Sequence, residues 1–392
     1  MVVNGFQFPY QKMNFSFWEH DSYFKNIDVL IVGSGIVGLF AALHLKEQSP
    51  KLKVVVIERG FIPSGASTKN AGFACFGSVS ELLDDLTKTS ELDLRNLVQK
   101  RFTGLQKLRQ KLGDKTIDYK NWGGYELFDD SIKFSRCEEN LKFLNKLVEP
   151  ITNKKQTYSL SDKEIKAFGF KGIQHLIFNS EEGQIDTGKA MRALIKRAHK
   201  AGVIILNGLN IKKINAENVI RPSVLSEDNF EIQANQIIIT TNGFAKELLP
   251  ELAVNPARAQ VLITKPVSNL KIKGTFHYDS GYYYFRNIGN RLLLGGGRNL
   301  DFKSEETTQM EITSLIQNKL DEMLRTKIIP NVEYEVEHRW SGIMGVGDEK
   351  IPIVKAISNS VFCAVRMGGM GIAIGSMVGE EVAQMALESK CL

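Results

Sequence analysis

The segment IDVLIVGSGIVG, residues 27–38, decides the fold of this chain. Its first six residues form a short apolar run, which is typical of a buried parallel strand. A glycine-rich turn follows, and residues 39–47 are predicted to form a helix. A second apolar run, KVVVI at 53–57, predicts another buried strand. Strand, turn, helix and strand together predict a βαβ unit with a right-handed crossover.

The turn has the pattern GxGxxG, in which each glycine has its own function. Gly33 permits the tight turn, Gly35 lets the backbone approach a pyrophosphate, and Gly38 lets the helix pack on the strand. The helix N-terminus offers free N–H groups to phosphates. Glu58 ends the second strand, where a carboxylate can accept hydrogen bonds from ribose hydroxyls. This context predicts a dinucleotide site, and a glycine-rich turn without a ligand is the simpler alternative. The predicted contacts are Gly33, Ser34, Gly35, Ile36, Val37, Gly38, Glu58 and Arg59.

Length and composition exclude several classes of protein. A chain of 392 residues, at roughly 150 residues per domain, favours two or three domains. The net charge of +6 is mild and does not indicate a nucleic-acid partner. The four cysteines form no CxxC pair and show no metal-ligand spacing with the six histidines, so we expect no disulfide and no metal site. Without a secretory signal or an apolar run of about 20 residues, a cytoplasmic protein without an integral membrane segment is expected.

A second glycine-rich turn lies between a predicted strand and a predicted helix near residue 370. It reads Gly368-Gly369-Met370-Gly371 and would direct another helix N-terminus toward a ligand. Such a turn suits a dinucleotide whose other end gains negative charge on reduction, as a flavin does and a nicotinamide does not. A merely close-packed turn explains the glycines equally well. Gly375, Gly379 and Ala383 then recur at helical spacing and predict a helix that lies very close to its neighbours.

The ordered motifs resemble the FAD-dependent oxidoreductases of the D-amino-acid oxidase, glycine oxidase and sarcosine oxidase group. The resemblance covers nearly the whole chain from about residue 16 onward. It is carried by GSGIVG at 33–38, GASTKNAG at 65–72, QID at 184–186, TTNG at 240–243, RAQ at 258–260, RWSGIM at 339–344 and RMGGMG at 366–371.

This resemblance implies how the chain holds FAD. The loop after the second strand would run past the pyrophosphate toward the isoalloxazine, and the C-terminal turn would face the ring. Ile211 would pack against the adenine. The implied contacts are Ala66, Ser67, Thr68, Asn70, Ala71, Gly72, Ile211, Thr241, Asn242, Gly243, Gly342, Met344, Gly369, Met370, Gly371 and Ile372. No cysteine lies near the W-x-G segment, where sarcosine oxidase-like enzymes attach the flavin, so non-covalent FAD is expected.

The chain departs from the group where related enzymes bind the substrate carboxylate. Met344 stands where glycine oxidase-like members carry an Arg, and Ala373 stands where sarcosine oxidase-like members carry a Lys. If the substrate is nonetheless an amino acid, another cation must pair with its carboxylate, because a buried unpaired carboxylate is costly. Arg286 is the first candidate and Arg366 the second.

Strand alternation places Tyr282, Tyr284 and Arg286 on one face, although tyrosines there also fit ordinary sheet packing. Lys69 is predicted to stabilise the reduced ring or to contact oxygen, and an exposed loop lysine is the equal alternative. Trp340 of the W-x-G motif is the remaining candidate. The predicted catalytic residues are thus Lys69, Tyr284, Arg286 and Trp340.

The predicted fold class is α/β, with an FAD-binding Rossmann-like domain built from discontinuous segments and an inserted α+β substrate domain. The inserted domain would contain a mostly antiparallel sheet. Residues 1–90, 160–250 and 345–392 are assigned to the FAD-binding domain, and residues 91–159 and 251–344 to the substrate-binding domain.

The resemblance implies oxidation of the C–N bond of a small amine or amino acid by hydride transfer to flavin N5. Imine hydrolysis would follow, with reoxidation by oxygen or another acceptor. One alternative keeps the fold and takes a 2-hydroxy acid as substrate. A second alternative is a flavin subunit that relays electrons within a complex or uses the cofactor structurally. The sequence leaves the oligomeric state open.

Overall fold

The computed structural model describes residues 14–216 and 221–389. Cys391 and residues 1–13, on which the expected absence of a secretory signal partly depends, lie outside these ranges. The helices are α1 Phe17–Glu19, α2 Ile36–Gln48, α3 Ala66–Lys69, α4 Val79–Leu86, α5 Glu91–Leu112, α6 Ser131–Thr152, α7 Ile165–Phe168, α8 Thr187–Lys200, α9 Ser314–Met323 and α10 Gly371–Glu388. The strands are β1 Ile27–Val32, β2 Val54–Glu58, β3 Phe73–Ala74, β4 Gly124–Phe128, β5 Tyr158–Leu160, β6 His175–Asn179, β7 Gly183–Gln184, β8 Ile204–Asn207, β9 Ile211–Asn215, β10 Ser223–Ser226, β11 Glu231–Ile239, β12 Asn255–Thr264, β13 Thr275–Tyr278, β14 Tyr283–Ile288, β15 Arg291–Gly296, β16 Val336–Val346, β17 Ile353–Ala356 and β18 Val361–Val365.

The first sheet has the strand order β17-β18-β11-β1-β2-β8. All neighbours in this series are parallel except the edge strand β17, which is antiparallel to β18. In the centre, Val29 of β1 pairs with Gln236 on one side and with Val54 on the other. The predicted βαβ unit is confirmed. Its strands are continuous apolar runs because both faces of the sheet are covered. Helices α2, α8 and α10 cover one face, and the β9–β10 hairpin and neighbouring loops cover the other.

The second sheet has the strand order β16-β12-β15-β14-β13-β4-β6-β5. Its pairs are antiparallel apart from β4 and β13. Phe276 and Phe285 stack with ring centroids 4.7 Å apart on the face that packs against α9. The predicted α/β class with a mostly antiparallel second sheet is confirmed.

Some segments that were assigned to one predicted domain pair or pack with elements of the other. The segment 160–250, assigned to the FAD-binding domain, includes β6, which pairs with β4 and β5 in the second sheet. Conversely, α5 lies in the segment 91–159 but packs on α10, where the Ser376 hydroxyl donates to the carbonyl O of Gly104 at 2.6 Å. The exact domain boundaries remain a prediction.

Helices α2 and α10 lie in very close contact, as the small residues of α10 predict. A Cβ at Gly379 would lie 2.6 Å from the carbonyl O of Val37, and a Cβ at Gly375 would lie 2.7 Å from Cγ2 of Ile36. These contacts tie the C-terminal helix to the N-terminal βαβ unit. Over the described residues, the structure contains no helix long and apolar enough to cross a membrane.

Candidate functional site

The turn between β1 and α2 packs its backbone against the end of β11. Gly33 has a φ of 110°, in the left-handed region that favours glycine. A Cβ at Gly33 would lie 3.0 Å from the carbonyl O of Thr240, and a Cβ at Gly38 would overlap the carbonyl O of Gly33. Gly38 is therefore needed for packing behind the turn. Gly35 instead lines a cavity that several other segments of the chain also line.

Glu58 is a buried carboxylate at the end of β2, and both of its oxygens accept hydrogen bonds. Its Oε2 accepts hydrogen bonds from the Ser34 N–H at 3.3 Å and the Ser34 hydroxyl at 2.7 Å. Its Oε1 accepts from Gly60 N–H at 3.0 Å and from the Ser64 hydroxyl at 3.1 Å. Glu58 also lines the cavity, so the carboxylate is held in place at the position where a ribose is expected. The next residue, Arg59, stacks its guanidinium 3.6 Å above the ring of Phe244.

The loop 65–72 closes over the N-terminus of α2. The Ile36 N–H donates to the Ser67 hydroxyl at 2.9 Å. Asn70 fixes the end of the loop, because its Oδ1 accepts from the Gly72 N–H and from the Thr187 hydroxyl, each at 2.8 Å. The loop thus presents Ser67 beside the free N–H groups of a helix, an arrangement suited to a pyrophosphate.

The C-terminal turn is held by Asn242. Its Oδ1 accepts from the N–H groups of Arg366 at 3.1 Å and Met367 at 3.2 Å. Gly368 and Gly369 have φ values of 57° and 82°, so these two glycines make the turn before α10 begins at Gly371. Asn242 and the turn from Met367 to Gly371 therefore line the same cavity.

These features line one cavity of about 440 Å³, within the usual range for a small-molecule site. Most of the predicted cofactor contacts line it, namely Gly33, Gly35, Ile36, Val37, Glu58, Arg59, Ala66, Ser67, Asn70, Ala71, Gly72, Ile211, Thr241, Asn242, Gly342, Met344, Gly369, Met370, Gly371 and Ile372. Four do not, namely Ser34, Gly38, Thr68 and Gly243. Ser34 points at Glu58, and the Thr68 hydroxyl donates to the carbonyl groups of Pro63 and Gly65.

The cavity suits a dinucleotide, because its lining includes Glu58 and Ile211, the candidates for the adenosine, together with Met370 and Gly371 of the C-terminal turn. In the described part of the chain, the Thr241 hydroxyl is buried without a hydrogen-bond partner and lines the cavity, which leaves it available to a ligand. A family model described as FAD dependent oxidoreductase matches residues 28–385. The chain belongs to this family.

Two relatives illustrate the range of this FAD-dependent oxidoreductase family. The chain is 24% identical over 387 residues to the gamma-glutamylputrescine oxidoreductase of Escherichia coli (strain K12). That match covers 91% of this chain and 83% of the relative. The chain is also 24% identical over 375 residues to the bifunctional protein ThiO/ThiG of Synechocystis sp. (strain ATCC 27184 / PCC 6803 / Kazusa). That match covers 93% of this chain but only 52% of the relative, so the chain spans about half of the bifunctional protein.

Solved structures share the fold of this oxidoreductase at low identity. Glycine oxidase from Geobacillus kaustophilus superposes with a TM-score of 0.73 at 19% identity, covering 93% of this chain and 95% of that one. L-proline dehydrogenase from P. horikoshii superposes with a TM-score of 0.73 at 19% identity, covering 92% and 93%. The cofactor of this FAD-dependent oxidoreductase is FAD, in agreement with the expectation from the sequence.

Two of the four predicted catalytic residues line the cavity of the oxidoreductase. Lys69 extends along Gly342, where a Cβ would lie 2.8 Å from the Lys69 Cβ. Tyr284 lies on β14 with its ring in the cavity wall. Trp340 does not line the cavity, but its Nε1–H donates to the carbonyl O of Lys69 at 2.9 Å. Trp340 therefore contacts the loop that carries Lys69, and its predicted catalytic role remains a prediction.

Arg286 lies behind the cavity wall and does not line the cavity. It shares a face of β14 with Tyr284, as expected, but Tyr282 precedes the strand. The Arg286 side chain is buried, and its guanidinium donates to the carbonyl groups of Ala71 and Ile185. It supports the loop 70–72 from behind and does not line the cavity. This position does not favour Arg286 as the anchor for a substrate carboxylate, and that role remains a prediction.

Arg366, the second candidate for the carboxylate anchor, also makes its hydrogen bonds within the protein. Its guanidinium donates to the carbonyl groups of Ile351 at 2.9 Å and Ala253 at 3.1 Å, and it pairs with Glu349 at 3.2 Å. Arg366 does not line the cavity, although its backbone begins the C-terminal turn.

Arg298 is a cavity cation that the sequence analysis missed. It follows Gly296 and Gly297 at the end of β15, and its guanidinium lies 4.8 Å from the ring centroid of Phe302. Across residues 14–216 and 221–389, no carboxylate lies within ion-pair distance of it. Burial lowers the pKa of Arg298, and charges such as that of Glu305 oppose this effect. The run Gly295-Gly296-Gly297-Arg298 at a strand end was the available sequence signal.

Glu81 and His277 are two further cavity residues that were missed. The Glu81 carboxylate accepts from the Ser78 N–H at 3.0 Å and lies against Gly281. Burial alone would raise the pKa of Glu81, but the charges of His277 and Lys350 and the Ser78 hydrogen bonds lower it below its usual value. Glu81 is therefore an ionised carboxylate that faces the cavity.

His277 is paired with a second, deeper carboxylate. Its Nε2 lies 2.6 Å from Oε1 of Glu182. Burial alone would lower the pKa of His277, but the charge and hydrogen bond of Glu182, with the charges of Glu81 and Glu126, raise it to about 9. The imidazole is therefore protonated at neutral pH. The cavity wall thus carries an ionised carboxylate, an imidazolium and an unpaired guanidinium.

Proposed function

We propose that this FAD-dependent oxidoreductase oxidises the C–N bond of a small molecule that carries both an amine and a carboxylate. The observation that carries this proposal is that Glu81 and the unpaired Arg298 line the same cavity as the C-terminal turn. A carboxylate suits the amine of such a substrate, and a free guanidinium suits its carboxylate. The relatives named gamma-glutamylputrescine oxidoreductase and glycine oxidase support an amine or amino acid as substrate.

When bound, FAD supplies the acceptor for the two electrons that leave the substrate carbon as a hydride. The side chains of the protein bind and orient the substrate. Arg298 holds the carboxylate through its planar fork, and Glu81 accepts a hydrogen bond from the amine. Tyr282 and Tyr284 form an aromatic wall that excludes water from the reacting carbon. Lys69 adds a positive charge at the loop that Trp340 positions.

His277 is excluded as the group that receives a proton from the amine near neutral pH. It is protonated there, since its pKa is about 9, and it already donates to Glu182. Its charge instead holds Glu81 in the ionised form. Glu81 is therefore the group that binds the amine, and His277 acts through it.

A panel of substrates under anaerobic conditions tests the proposal. Bleaching of the flavin absorbance by amino acids or N-substituted amino acids, and not by 2-hydroxy acids or simple amines, is the expected result. Bleaching by 2-hydroxy acids alone would establish the hydroxy-acid alternative. A protein that retains FAD but is bleached by none of the three classes would favour the electron-relay alternative.

We further propose non-covalent FAD and a cytoplasmic location. Cys75, Cys137 and Cys363 are buried free thiols, which suits a reducing compartment. Acid precipitation should leave the flavin in the supernatant, and cell fractionation should recover the protein with soluble cytoplasmic markers. Flavin that stays with the precipitated chain would contradict the non-covalent binding.

A further inference from the structure

Three potential metal ligands from distant parts of the chain meet beside the cavity. Cys75 follows β3, Glu182 lies just before β7, and His277 lies on β13. One ligand atom from each, the Cys75 Sγ, a Glu182 carboxylate oxygen and a His277 ring nitrogen, all lie within 4.8 Å of one another. All three residues are buried, with exposures of 6%, 0% and 5%.

The hydrogen bonds of this cluster are incomplete. The Glu182 Oε1 accepts from the Thr275 hydroxyl at 2.7 Å and lies 2.6 Å from His277 Nε2. The other oxygen of Glu182, Oε2, is buried without a hydrogen-bond partner among the described residues. The polar contact found for the Cys75 thiol is weak, with its Sγ 3.9 Å from the Met370 thioether. A buried carboxylate oxygen without a partner is costly, so the cluster is incompletely satisfied.

We propose that Cys75, Glu182 and His277 form a binding site for Zn²⁺. Thiolate, imidazole and carboxylate are the ligands that zinc takes in proteins, and three protein ligands leave a fourth position open. Thr275 supplies the outer hydrogen bond that orients the Glu182 carboxylate. Cys75 and His277 line the cavity, so an ion reaches the site from there.

The zinc site does not rest on the proposed oxidation of an amine, although His277 belongs to both. Its ligands differ from Glu81 and Arg298, which bind the substrate in the proposed function. The Cys75 Sγ lies beside Met370 of the C-terminal turn. A bound ion would consequently alter the cavity wall at that turn, and excess zinc should slow any turnover that the enzyme has.

Zinc binding is tested on the purified FAD-loaded protein after removal of metals with a chelator. Titration calorimetry with zinc chloride should show about one ion per chain. X-ray absorption at the zinc edge should show one sulfur ligand at about 2.3 Å, with nitrogen or oxygen ligands at about 2.0–2.1 Å. Failure to bind zinc, or a bound ion without a sulfur ligand, would overturn the proposal in the wild-type protein itself.

Matched cysteine variants identify the sulfur. Cys75→Ala should weaken zinc binding by more than about 100-fold, since even loss of an outer-shell partner costs roughly 10–100-fold. Cys137→Ala removes a buried thiol from α6 and should leave zinc binding unchanged. Should Cys75→Ala fail to retain FAD, Glu182→Gln replaces it in the comparison. Equal zinc affinity in Cys75→Ala and Cys137→Ala would place the ion elsewhere and refute the assignment.

Discussion

The Nε2 atom of His277 lies 2.6 Å from Oε1 of Glu182, and both side chains are buried. The pKa of His277 is raised from 6.5 to about 9 in the folded protein, because the carboxylates around it outweigh the effect of burial. The folded state therefore binds more protons than the unfolded state between these two values. Stability from this pair is present in full below 6.5 and is lost as the pH rises through about 9.

We accordingly expect the free energy of unfolding to fall by on the order of 1–3 kcal/mol from about pH 6 to about pH 10. Chemical denaturation in the presence of a chelator measures the free energy of unfolding at each pH. His277→Asn should flatten this part of the pH dependence, whereas His199→Asn, on the exposed side of α8, should leave it intact. An unchanged slope in His277→Asn would show that other groups titrate there.

Glu58→Gln should weaken FAD binding by roughly 10–100-fold, the range for losing hydrogen bonds to a charged group. The substitution keeps the shape of the side chain but removes the charge that accepts from Ser34, Gly60 and Ser64. Reconstitution of the FAD-free protein, followed by flavin fluorescence, gives the dissociation constant. Glu47→Gln, which removes an exposed partner of Lys111, serves as the control. Equal FAD affinity in the two variants would remove Glu58 from the adenosine site.

Arg298→Met should raise KM for a carboxylate substrate by roughly tenfold to a thousandfold, because a charge-assisted pair is lost. For an amine without a carboxylate, KM should stay nearly the same. Steady-state kinetics with matched substrates that differ only in the carboxylate provide the comparison. An Arg298→Met enzyme that keeps its KM for the carboxylate substrate would show that the anchor lies elsewhere.

Arg286→Met changes a buried arginine and is the variant matched to Arg298→Met. We expect it to affect stability and not KM. It removes the donors to the carbonyl groups of Ala71 and Ile185, so it should lower stability by about 1–3 kcal/mol. Thermal unfolding of the FAD-loaded protein measures this loss. KM should not change selectively for carboxylates. A selective change would return Arg286 to the substrate site.

Gly369→Ala should be more harmful than Gly371→Ala. Gly369 has a φ of 82°, and a left-handed conformation costs an L-residue about 1–2 kcal/mol. Gly371 does not lie in that region, and a Cβ there would make only an ordinary contact with the Met367 Cβ at 3.8 Å. Retained FAD and the melting temperature of each variant decide the comparison. Similar values for both variants would show that the turn tolerates a different backbone.

The parts of the site formed by local backbone geometry could be predicted from the sequence. The turn around Gly33 and Gly35, the carboxylate of Glu58 and the C-terminal turn all follow from strand and helix patterns within short segments. For these, the spacing of glycines and apolar residues specifies the conformation. The helix contact at Gly379 could be predicted for the same reason.

The substrate side could not be predicted in this way, because it depends on which layer covers each strand. Alternation correctly placed Tyr284 and Arg286 on one face of β14, but it does not show that the loop at Ala71 covers the Arg286 guanidinium. The cluster of Cys75, Glu182 and His277 shows the same limit. Rules on ligand spacing apply within a segment, whereas these ligands come from three separate segments.

The close contact of α2 with α10 has a consequence for synthesis of the protein on the ribosome. The βαβ unit is translated well before α10, the helix that covers one face of α2. Until then, the apolar residues around Val37 and Phe40 lack their partners Gly375 and Gly379. The nascent chain consequently exposes a hydrophobic surface until α10 has been translated, and chaperones that shield such surfaces should engage it before FAD can.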